Sequence, residues 1–204
     1  MMNTREKFTA GLISIGLILA LLPLTSNRSF SGKPQNLLSV VLEDKDYFTV
    51  DQVARFVISE DSTVQIIDLR SSEEFMALNI PGSINVPYDE LITREAGGFL
   101  NDANIRTIFY SNGDIFSNYA MVIAKGLNHN NVYVMKGGLN EWFNTVMNSH
   151  FTGDRITARE NALFETRTRA GKLFTEINSL PDSLKIKYLE AKQVEAMKLD
   201  GGCE

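Results

Sequence analysis

The chain is poor in the residues that most often staple or catalyse: its 204 residues include one cysteine, two histidines and one tryptophan. A single cysteine, Cys203, excludes any disulfide within the chain, so the fold has to rest on its apolar core. The two histidines, His129 and His150, have no Cys, Asp or Glu at ligand spacing beside them, which leaves a zinc site without support. Both read as surface residues, and no metal or cofactor is expected. Positive charge is also scarce in the middle of the chain. From residue 43 to residue 148, seven Lys or Arg stand against fifteen Asp or Glu, a net of −8, whereas residues 151–204 carry nine of each sign. Phosphate backbones are held by clustered cations, so the acidic middle argues against nucleic acid as a partner. What is abundant is ordinary globular composition, 44% hydrophobic and 22% charged, enough for one core of usual size.

The only long apolar run is at the start. Arg5 and Lys7 precede an uncharged stretch from Phe8 to Leu24, closed by Pro23, a pattern typical of an export signal. Its length corresponds to roughly 25 Å of helix, slightly short of a hydrocarbon core, so residues 1–31 are expected to be a cleaved signal peptide or an uncleaved anchor. Ser29 and Ser31 loosely meet the small-residue cleavage rule, and no cysteine follows the run to carry a lipid. The remainder is then expected outside the cytoplasm, periplasmic or anchored, touching the membrane only through this segment.

After a linker and short helix (32–46), strand and helix patterns alternate over residues 47–148. Val50, Val53, Ala54 and Val57 recur at helical spacing behind a capping box of Thr49 and Gln52. "VQIIDL" reads as a buried strand, and Ser71 with Glu74 repeats the capping pattern before another helix. "IPGSINVP" suits an irregular strand between turns, and "DELITREAG" a short helix ending at Gly97. "IRTIFY" and "NVYVM" are further strands. Between them lies a helix with Ala120, Ile123, Ala124 and Leu127 on one face, and "LNEWFNTVM" closes the unit as a last helix. Such alternation implies a parallel sheet covered by helices on both faces, with ligands beyond the carboxyl ends of the strands. The loop "SNGDIF", residues 111–116, is at such an end. Residues 149–204 read as a helical extension: Leu163, Ala170, Phe174 and Ile177 form one apolar stripe, Pro181 starts a second, largely solvated helix, and the chain ends in a loose Gly-Gly-Cys-Glu.

The stretch "IIDLRSSEEFMALNIPGSINVPYDEL", followed by "VYVMKGGLNEWF", resembles the two signatures of rhodanese-like domains over roughly residues 47–143. The resemblance implies a five-stranded parallel α/β fold and, in active members, sulfur transfer through a cysteine persulfide. Active members carry a Cys-x-x-x-x-Arg loop whose successive N–H groups, with a helix N-terminus, lower the thiolate pKa and cradle an anion. By that likeness Ser111 stands at the nucleophile position and Phe116 at the arginine position, with Asn112, Gly113, Asp114 and Ile115 between them and Ser117 kept at the helix start. Asn79 replaces the histidine of the family's His-Ile-Pro-Gly stretch.

A serine hydroxyl forms no persulfide and needs an adjacent base to ionise; no such base is evident. Asp114 reads as a turn former beside Gly113. Asp68 and Arg70 read as a structural ion pair or as loop hydrogen bonds at a strand end, without chemistry, and Gly137-Gly138 with Trp142 as a tight turn and core packing. The expectation is therefore an exported rhodanese-like protein without classical thiosulfate sulfurtransferase activity, acting as a binding or accessory module. The alternative is a sulfur-handling protein, a sulfurtransferase or carrier, using Cys203. Its partner would be an unknown protein or a sulfur donor.

Overall fold

The computed structural model describes residues 44–93, 100, 104–150 and 157–199. The apolar run of residues 8–24, Gly97 and Cys203 lie outside them; among the described residues no helix is long and apolar enough to cross a membrane.

Five strands build the sheet: β1 (Tyr47–Phe48), β2 (Val64–Asp68), β3 (Ile84–Asn85), β4 (Arg106–Tyr110) and β5 (Val132–Met135). Their order is β1-β5-β4-β2-β3, and every pairing is parallel. β2 and β4 pair along their whole length, Val64 opposite Arg106 through Asp68 opposite Tyr110. Because parallel neighbours need crossovers, helices cover both faces. On one side are α1 (Val50–Ser59) and α5 (Gly138–Trp142) with its π-helical continuation Phe143–Met147; on the other, α3 (Tyr88–Thr93) and α4 (Ile115–Gly126). α2 (Ser72–Ala77) follows β2.

The local signals read from the sequence operate as capping chemistry requires. The Thr49 side chain accepts from the Gln52 N–H while Gln52 reaches back to the Thr49 N–H, and Ser71 does the same with Glu74. Val50, Val53, Ala54 and Val57 are the buried face of α1. Three details differ from the periodic reading. In α4 the buried stripe is Ser117, Ala120, Met121 and Ala124, with Ile123 and Leu127 only half-buried, because the helix is rotated toward the sheet. The closing helix turns π-helical at Phe143, which seats Val146 in the core beside Trp142. His129, read as a surface residue, is half-buried with Nδ1 2.8 Å from the Leu100 carbonyl.

The extension forms α6 (Ala158–Asn178) and α7 (Asp182–Leu199). α6 lies on α1 and adds Ala170 and Phe174 to the core. The Phe174 ring is 6.1 Å from Trp142 and 5.6 Å, edge-on, from Phe143. A bidentate pair between Arg167 and Asp51, at 2.6 and 2.7 Å, fixes the register of α6 on α1. α7 is mostly exposed, yet Lys185 is buried in it, a departure from a purely solvated helix. Its Nζ donates to the Ala77 carbonyl (3.1 Å) and Asn178 Oδ1 (3.0 Å), which lets a cation stay inside. Burial pushes its pKa down.

Candidate functional site

β4 delivers its last residue, Tyr110, into the core, and the chain turns out of the sheet at Ser111 before α4 begins. The turn is held from the side by the start of α5. The Leu139 N–H donates to the Ser111 carbonyl (2.8 Å) and the Asn140 N–H to the Asn112 carbonyl (3.0 Å). Such close approach of backbone to backbone needs a residue without a side chain. At Gly138, with φ of +59°, a Cβ would sit 2.5 Å from the Ser111 carbonyl oxygen.

Each polar side chain of the loop is hydrogen-bonded to another group of the protein. Ser111 is buried, and its hydroxyl donates to the Gly113 carbonyl at 2.6 Å. The Ser117 hydroxyl lies behind it at 3.4 Å. Asp114 Oδ1 accepts the Gly137 N–H at 2.5 Å, joining the loop to the turn before α5. Asn112 Nδ2 donates to Glu74 Oε1 at 3.0 Å. That bond, with those from Ser71, lowers the Glu74 pKa. Neither the Gly113 carbonyl nor the Ser117 hydroxyl is a base that could activate the Ser111 hydroxyl.

The outward face of the loop is apolar. Ile115 (66% exposed), Phe116 (52%) and Tyr119 (56%) lie in the first turns of α4, and the Tyr88 ring packs against Phe116 with centroids 5.2 Å apart and planes tilted by 51°. Sequence reasoning picked out Phe116 and Ile115 but missed Tyr119 and Tyr88. The signal was available: positions 115, 116 and 119 are apolar yet fall off the stripe 117, 120, 121 and 124 that packs on the sheet.

Behind the loop, Asp68 and Arg70 form the buried pair expected of them, with Nη2 to Oδ2 at 2.5 Å and Nε to Oδ1 at 3.0 Å. Arg70 Nη2 also donates to the Leu78 carbonyl (2.6 Å). The Tyr110 hydroxyl accepts the Ile80 N–H (3.1 Å) and meets Ser83 Oγ (3.0 Å); burial, then the Asp68 charge, hold its pKa well above the usual phenol value. Asn79 is fully buried and clamped by the extension: its N–H donates to Asn178 Oδ1 (3.0 Å), and Asn178 Nδ2 donates to its carbonyl (2.8 Å). Trp142 and the Gly137-Gly138 turn take the packing and turn roles read for them. His150 is exposed, and among the described residues no group of His, Cys, Asp or Glu side chains is placed to hold a metal.

A parallel sheet in the order β1-β5-β4-β2-β3, with a backbone-held loop after the central strand, accompanies a direct family match: residues 49–145 fit the model of the rhodanese-like domain. This segment is a rhodanese-like domain. It is homologous to sulfurtransferases: the Saccharomyces cerevisiae thiosulfate:glutathione sulfurtransferase is 27% identical over 105 residues, covering 47% of this chain and 76% of that protein. Two solved structures are also similar. The thiosulfate sulfurtransferase of Pseudomonas aeruginosa (21% identity, TM-score 0.44) covers 66% of this chain and 26% of that one. A single-domain sulfurtransferase of Saccharomyces cerevisiae (21% identity, TM-score 0.40) covers 48% of this chain and 89% of the other. The rhodanese-like domain here contains no cysteine in residues 49–145.

Proposed function

We propose that this protein is an accessory binding module built on a rhodanese-like domain, without classical thiosulfate sulfurtransferase activity. The observation that carries the reading is the Ser111 hydroxyl. It occupies the position that resembles the family's cysteine, and it is tied to the Gly113 carbonyl at 2.6 Å with no base beside it. A persulfide needs a thiolate, and Phe116, at the position resembling the anion-binding arginine, offers thiosulfate no charge. With Asn112 bonded to Glu74 and Asp114 to Gly137, the apolar surface offered to a partner is Ile115, Phe116 and Tyr119 with Tyr88. Aromatic side chains of this kind anchor protein interfaces.

The test is turnover of the full chain with thiosulfate and cyanide, beside Ser111→Ala. The expected result is no turnover that depends on Ser111; turnover abolished by that substitution would refute the reading. The double variant Ser111→Cys/Phe116→Arg is expected to gain thiol reactivity at the loop, because the backbone hydrogen bonds from Leu139 and Asn140 are unaffected by either change.

The same reading places the domain outside the cytoplasm, on the strength of Arg5 and Lys7 ahead of the apolar run. Protease added to spheroplasts is expected to digest the domain. Full protection, where a known exported protein is cut, would overturn that placement.

A further inference from the structure

A cavity of about 280 Å³, at the lower limit of sites that take small organic ligands, is lined by both the rhodanese-like domain and its extension. None of residues 111–116 borders it. It lies where β3 is short. β3 pairs with Ile67 and Asp68 of β2, so no strand lies beside Val64 to Ile66 on that edge, and Leu173 and Ile177 of α6 line the gap with Tyr188, Lys192 and Glu195 of α7.

The charged side chains of the lining have counter-charges within the protein. Lys192 is bonded to Glu195 at 2.9 Å and also feels the Glu60 charge, and Asp61 is paired with Arg106 at 3.2 Å. The Tyr188 hydroxyl is hydrogen-bonded to the Gly82 backbone. A cationic ligand would therefore have to compete with Lys192, and an anionic one would meet Glu60, Asp61 and Glu195. Either ion would leave water for a lining in which nine of the seventeen residues are apolar, a loss that an exposed, screened ion pair does not offset. A neutral hydrocarbon body bears no such cost and gains from the same side chains. Its size follows from the volume: an apolar cavity of about 150 Å³ holds benzene, so this one suits a body of roughly two fused rings.

We propose that this cavity binds a neutral small molecule with a hydrocarbon body of bicyclic size. Because α1, β2 and β3 supply part of the lining and α6 and α7 another part, the ligand joins the domain to its C-terminal extension. The site is independent of whatever the Ser111 loop does.

The experiment uses the full chain in nanodiscs, with methyl-labelled isoleucine, leucine and valine, and with free ligand concentrations fixed by dialysis against empty discs. The probes are naphthalenemethanol, naphthylmethylamine and naphthoate, which share a ring system and a position of attachment and differ in charge. The alcohol is expected to shift the methyl signals of Val64, Ile66, Leu173 and Ile177 in a saturable manner and to bind at least about tenfold more tightly than either ion. Glu60→Gln is expected to leave the alcohol's affinity within about twofold of that of the unaltered chain, since no charge holds the ligand. Ile177→Trp fills the space and should abolish binding; should that variant fail to fold, Leu173→Phe serves the same purpose. An ammonium or carboxylate probe that binds within about tenfold of the alcohol, a larger loss in Glu60→Gln, alcohol binding undiminished by a folded filling variant, or no saturable shift at these methyls would each overturn the proposal.

Discussion

Removing the Phe174 ring tests whether the helical extension belongs to the core that carries the rhodanese-like domain. Phe174 is 2% exposed and sits between Trp142 and Phe143 at 6.1 and 5.6 Å. Phe174→Ala takes away the apolar surface that α6 places on α1 and α5 and leaves a hole lined by rigid aromatic and aliphatic side chains. Buried Phe→Ala changes cost about 3–5 kcal/mol, transfer and cavity together. The upper half of that range applies here, because the walls come from three helices pinned by other contacts, including the Arg167–Asp51 pair, and collapse little. For a chain of this size that is a fall in Tm of roughly 8–20 °C. Trp142 is the only tryptophan, so its fluorescence in a urea titration reports unfolding at the contact being altered. A loss below about 1 kcal/mol with unchanged m would refute the reasoning, since it would mean that α6 rests on a core already complete without it.

Gly138→Ala is expected to destabilise by about 2 kcal/mol or more, from the left-handed φ and the approach to the Ser111 carbonyl, and amide chemical shifts should move at residues 111–114 rather than across the sheet. Lys185→Met is expected to cost about 1–3 kcal/mol in chemical denaturation, because the Ala77 carbonyl and Asn178 Oδ1 lose their common donor. The carboxyls of Asp61, Glu74 and Glu160 have lowered pKa values, chiefly through hydrogen bonds from Thr63, from Asn112 and from Thr157. A group whose pKa is depressed on folding contributes stability above its unfolded value and loses it as pH falls through the folded one. Stability measured by urea titration should therefore decline from about pH 4.5 downward, and Glu74→Gln should flatten part of that decline.

The sequence by itself determined what depends on neighbours along the chain. The capping boxes at Thr49 and Ser71, the buried stripe of α1 and the strands "VQIIDL", "IRTIFY" and "NVYVM" follow from local hydrogen bonding and apolar periodicity, which operate over a few residues. The missing cysteine in the loop was equally legible, since a residue's identity needs no fold. The tertiary structure alone decided where side chains without a periodic signal point. Asp114 and Asn112 lie in a loop that carries no periodic signal, and their partners are far along the chain: Gly137, 23 positions away, and Glu74, 38 positions away. Asn79 and Asn178 are 99 residues apart, and Lys185 reaches 108 residues back to Ala77. No local rule could pair them. The cavity roofed by α6 and α7 likewise depends on how far β3 extends along β2, a matter of strand register rather than composition. Short-range forces write the elements into the sequence, while the long-range contacts that shape a site exist only once the elements have packed.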